Sequence, residues 1–67
     1  SNGNIEIKIF NMAGELVESI PGNSGNTIFW DGKDRFGNVA RFGLYPYVYL
    51  VDGVVKQGQL LHIRPQR

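Results

Sequence analysis

Asp31, Asp34 and Asn38 place three oxygen-bearing side chains within eight residues, the grouping in this chain with the chemistry to hold a hard cation such as Ca²⁺. A calcium loop of the EF-hand type needs more acidic ligands at fixed positions and a distal bidentate Glu, and none stands at that spacing. The plainer reading is an Asx-stabilised turn beside a tryptophan, in which the side-chain oxygens accept backbone N–H bonds. Tyr45, Tyr47 and Tyr49 share one strand face, with Phe29, Trp30, Phe36 and Phe42 near them in sequence. Such a stripe can stack on sugar rings or fill a core, and core burial is the commoner use. Phe36 and Phe42 differ, because they sit in a polar stretch. They are expected to cap an open end of the fold or to touch a partner.

His62 is the single histidine, and a lone imidazole with no cysteine builds neither a metal site nor a triad. Ser19 and Ser24 lack a nucleophile-elbow context. Gly32, Gly37 and Gly43 precede no Lys-Ser/Thr pair and no helix, so they do not form a phosphate loop. Neither catalysis nor a cofactor is expected of this chain.

The elements that must position these residues are few. At 67 residues there is room for one domain, and a chain this short removes only about 60% of its unfolded surface from water. Apolar burial at about 25 cal/mol per Å² then nearly cancels against an ordering cost of about 1.5 kcal/mol per residue. A staple or a partner is expected. With no cysteine the staple is not a disulfide, which leaves oligomerisation or a neighbouring domain. Seven basic and six acidic residues give a net charge of +1, scattered except for Arg64 and Arg67, so nothing forms a nucleic-acid footprint. The apolar run Tyr47 to Val51 is far short of a membrane span.

Ile5, Ile7 and Ile9 alternate with Glu6 and Lys8, the period-two signature of a half-buried strand. Asn11 to Gly14 supplies a turn, and Glu15 to Ile20 is expected to return as the second arm of a hairpin. Pro21 to Asn26 reads as loop, Thr27 to Trp30 as a third strand, and Lys33 to Phe42 as a long connection with little regular structure. Leu44 to Asp52 and Val54 to Ile63 form a second hairpin about Asp52-Gly53, with Gly58 marking a bulge. Both faces of the first of these strands are apolar. No segment carries a helical stripe, so the class is all-β, a small sandwich or an incomplete barrel.

The order Ile5-Glu6-Ile7-Lys8-Ile9-Phe10-Asn11, Gly14, Val17, then a Gly/Asn loop, Trp30-Asp31-Gly32-Lys33-Asp34 with Gly37-Asn38, then Gly43, Tyr45 and Tyr47 resembles the Ig-like domain of flagellar hook-capping proteins. It is similar also to related C-terminal sorting modules of exported bacterial proteins. The resemblance covers about residues 5 to 52. It implies an immunoglobulin-like antiparallel β-sandwich of about five strands that performs no chemistry. A single module over residues 1–67 is expected, with 1–3 in part an expression remnant and 64–67 a tail. Its expected core is Ile5, Ile7, Ile9, Val17, Ile28, Trp30, Tyr45 and Tyr47, and its expected interface Phe36, Phe42, Pro46, Val48 and Leu50. Members usually carry a further strand ahead of the position of Ile5, so the module is expected to pair through an open sheet edge with a host domain or a second copy. The implied location is extracytoplasmic: secreted, periplasmic or at the cell surface. The reading from a different class is a carbohydrate-binding module appended to an extracellular hydrolase.

Overall fold

The computed structural model describes residues 4–23 and 29–63. Residues 1–3, 24–28 and 64–67 lie outside the described residues, and with them the expected core role of Ile28 and half of the expected third strand, Thr27 and Ile28. Trp30, at the end of that expected strand, lies in no strand. The described chain is all-β and without helix: β1 (Asn4–Phe10), β2 (Leu16–Asn23), β3 (Gly43–Val51) and β4 (Val54–His62). They form one antiparallel sheet in the order β2-β1-β3-β4.

The β1–β2 hairpin is closed by Asn11. Its Oδ1 accepts from the N–H groups of Ala13 and Glu15, and its carbonyl accepts from Gly14, whose φ of 86° suits glycine. Ile9 stands opposite Glu18 but Phe10 opposite Leu16, so Val17 is an extra residue, a β-bulge. β2 then continues through Pro21-Gly22-Asn23, which corrects the expectation of a loop there. The physical reason is position: β2 is an edge strand, and proline is tolerated where no ladder bond is asked of its missing N–H.

In the second hairpin Asp52 (φ 50°) and Gly53 (φ 79°) make a tight turn of the twist-compatible kind. β3 and β4 then pair over nine residue pairs without a shift, from Val51 opposite Val54 to Gly43 opposite His62. Gly58 is therefore not a bulge. It is covered by the ring of Tyr47, whose Oη lies 2.5 Å from where a Cβ at Gly58 would stand.

The two hairpins meet along a short seam, Lys8 opposite Val48 and Ile9 opposite Tyr47. Beyond Tyr47 stands Pro46, which has no N–H to give to β1, and the ladder stops. At the other end the strands part, and a cleft of about 600 Å³ opens between Ile5, Glu6 and Lys8 on one side and Val48, Tyr49, Leu50, Asp52 and Gly53 on the other.

Among the described residues Ile9, Val17 and Tyr45 are buried, with Ile7, Ile20, Trp30, Ala40, Tyr47 and Leu60 packed around them. Ile5 is half-buried and lines the cleft. The connection before β3 is more ordered than its composition suggests. Ala40 donates to the Gly32 carbonyl, Lys33 pairs with Val39, and Asp34 N–H donates to the Asn38 carbonyl at 2.7 Å. This small hairpin docks on the sheet where the Arg35 N–H meets the Val17 carbonyl at 2.8 Å, a group that the bulge has taken out of the ladder.

Candidate interaction surface

Strand alternation sorts the side chains of the sheet into two faces. On the core side β1 presents Ile5, Ile7 and Ile9, and β3 presents Tyr45, Tyr47, Tyr49 and Val51. The opposite face carries Glu6, Lys8 and Phe10 from β1, Leu44, Pro46, Val48 and Leu50 from β3, and Val55, Gln57, Gln59 and Leu61 from β4. Direct pairs put Leu44 opposite Leu61 and Leu50 opposite Val55. These four are exposed, at 44%, 63%, 54% and 59%, whereas Pro46 and Val48 are half-buried. Single exposed apolar residues are ordinary, but pairs of them side by side on one strand hairpin form a patch.

The aromatic residues gather at the end of the sheet where β3 begins and β4 finishes. His62 lies 5.1 Å from Trp30 and 4.9 Å from Phe42, ring centre to ring centre, and Trp30 meets Tyr45 edge-on at 5.1 Å. Gly32 passes directly under His62: a Cβ there would stand 2.6 Å from its Cε1. The Trp30 indole N–H donates to the Lys33 carbonyl at 2.9 Å, and the Tyr45 hydroxyl to the Arg41 carbonyl at 2.6 Å. Phe42, half exposed, packs on His62, while Phe36 projects into solvent from the tip of the small hairpin with the Arg35 guanidinium 4.9 Å from its ring.

Two of the oxygen-bearing trio, Asp31 and Asp34, are engaged with their own backbone. Asp31 Oδ1 accepts from Lys33 N–H, and Asp34 Oδ1 accepts from both Phe36 and Asn38 N–H at 2.9 Å. These are the Asx turns the spacing allowed. No group of three or more His, Cys, Asp or Glu side chains among the described residues converges as a metal site. Ser19 Oγ and His62 Nε2 are buried without a hydrogen-bond partner among the described residues. They belong to opposite edge strands and opposite faces of the sheet, too far apart in the fold to act on one substrate atom.

Tyr47 and Tyr49 are half-buried, their rings 6.1 Å apart and inclined by 20°. His62 is the residue whose place was least readable in sequence: its neighbours Trp30 and Phe42 come from a distant loop. The exposed Val55 and Leu61 were also missed. The signal available for them was period two on β4, broken by Gln57 and Gln59 between them.

No protein-family model matches the chain, and neither does any curated protein or solved structure compared with it. The class defined by fold and surface is a small all-β domain built on one antiparallel four-stranded sheet with an apolar outer patch.

Proposed function

We propose that the chain is a non-catalytic interaction module, an immunoglobulin-like β-sandwich of about five strands that serves as an accessory or C-terminal assembly or sorting domain of a larger exported or surface-assembled bacterial protein. It works by strand pairing and by packing of its outer face. The observation that carries this reading is the paired exposure of Leu44 with Leu61 and Leu50 with Val55 on one face of the second hairpin. Two features favour the immunoglobulin-like form. The Tyr45 hydroxyl reaches back four residues to the Arg41 carbonyl, the bond that defines the tyrosine corner of such sandwiches. The small hairpin from Gly32 to Ala40 is bonded to the Val17 carbonyl, and its Ala40 packs against the core cluster, which is where a second layer would stand.

A double substitution Leu44→Thr with Leu50→Thr separates an interface from a core. As interface residues they are expected to leave the stability of the chain in dilute solution within about 0.5 kcal/mol of the parent, measured by urea unfolding. A loss of more than about 2 kcal/mol would make this face part of the core of the chain and remove the reading.

The near-parallel rings of Tyr47 and Tyr49 favour a second reading, carbohydrate binding by stacking. Titration with soluble oligosaccharides is expected to leave tyrosine and tryptophan fluorescence unchanged. A saturable change lost in Tyr49→Ala would transfer the function to these rings.

A further inference from the structure

The two edges of the sheet are built differently. β2 carries Pro21, the bulge at Val17 and the charge of Glu18, all of them devices that discourage a further strand from pairing. β4 runs nine residues in unbroken register with no proline and no bulge, and its one charge is Lys56. The tight turn makes Val51 and Val54 a hydrogen-bonded pair, and alternation down an antiparallel ladder then turns the N–H and C=O groups of Val55, Gln57, Gln59 and Leu61 away from β3. All four residues are exposed. At the midpoint, the Tyr47 ring lies across Gly58 and carries its hydroxyl to the edge of the sheet, where it makes no hydrogen bond among the described residues.

β4 is also close to self-complementary. Outward from Gly58 the residues pair as Gln57 with Gln59, Lys56 with Leu60, Val55 with Leu61 and Val54 with His62. An antiparallel second copy on a two-fold axis at Gly58 places amide against amide and apolar against apolar on the outer face. It uses all four outward-turned residues, and brings the two Tyr47 hydroxyls together at the axis. The charges fit as well. Each Lys56 faces a Leu60, and the two ammonium-bearing residues are four positions apart along the ladder, about 14 Å, beyond a Debye length of about 8 Å. Pairing β4 with β2 instead would be head-to-tail and would not give a two-fold dimer.

The geometry points to β4 as the interface of a two-fold dimer of this chain, joining two four-stranded sheets into one and their outer apolar patches into one surface. This deepens the interaction-module reading and rests on it. A single strand junction buries less than about 1,200 Å², so association is expected at micromolar concentration.

The test is solution mass by light scattering over a concentration series, with Gln59→Pro beside the parent. The parent is expected to reach twice the monomer mass. Gln59→Pro removes an N–H that points away from β3, so it is expected to keep the far-ultraviolet circular dichroism of the parent and remain monomeric. Should the proline disturb folding, Gln57→Lys with Gln59→Lys is expected to weaken the dimer at least tenfold, and Gln57→Glu with Gln59→Lys to restore it. A parent that stays monomeric, or a dimer that persists in both the proline and the double-lysine variants, overturns the inference. If the parent is monomeric while Leu44→Thr with Leu50→Thr keeps its stability, the dimer alone falls and the interaction-module reading stands.

Discussion

Ile9→Ala is expected to cost about 3–4 kcal/mol and to leave most of the chain unfolded at room temperature. Ile9 is 1% exposed, the largest fully buried side chain among the described residues. It sits on an inner strand, opposite Glu18 of β2 and opposite Tyr47 of β3. It therefore belongs to both hairpins at the one place where they are joined, a seam two residue pairs long. Truncation removes three carbons from contact with the cluster that includes Val17 and Tyr45. The cavity collapses poorly because the bulge at Val17 is pinned by Arg35. Domains of this size without a disulfide hold only about 3–5 kcal/mol in total. Urea unfolding followed by circular dichroism measures the effect. A cooperative transition within about 1 kcal/mol of the parent would show that the seam is held from elsewhere.

Trp30→Ala is the second large effect, about 3 kcal/mol, at the lower end of the range for tryptophan because the side chain is half-buried. Three contributions are lost together. The indole packs on the core margin, it makes ring contacts with Tyr45 and His62 each worth on the order of 1 kcal/mol, and its N–H holds the Lys33 carbonyl. The last of these is specific to the small hairpin. Trp30→Phe is thus expected to lose only about 1–1.5 kcal/mol, while limited proteolysis between Gly32 and Ala40 speeds up in both variants. Unchanged cleavage in Trp30→Ala would separate the indole from the order of that loop.

The hairpins were legible because their signals are local. Alternating isoleucines select one face of a strand, Asn11 and Gly14 supply a turn's acceptor and its positive φ, and Asp52-Gly53 selects a two-residue connection. None of this depends on what lies across the fold. The strand ending at Asn23 was not legible, since whether a proline ends a strand or rides on its edge depends on which strands flank it. Nor was the order of residues 32 to 40. Their polarity and glycines describe a loop, and it is the Val17 carbonyl, freed by a bulge on another hairpin, that anchors them.

By itself the sequence determined the all-β class, both hairpins with their turns, and the Asx-turn chemistry of Asp31 and Asp34. Each of these is decided within a few residues by backbone sterics and side-chain alternation. Only the tertiary structure decided the strand order, the two-pair seam at Ile9 and Tyr47, the aromatic surroundings of His62 and which edge is left unguarded. Those depend on contacts between residues far apart in the chain, where the local patterns of the two partners carry no record of each other.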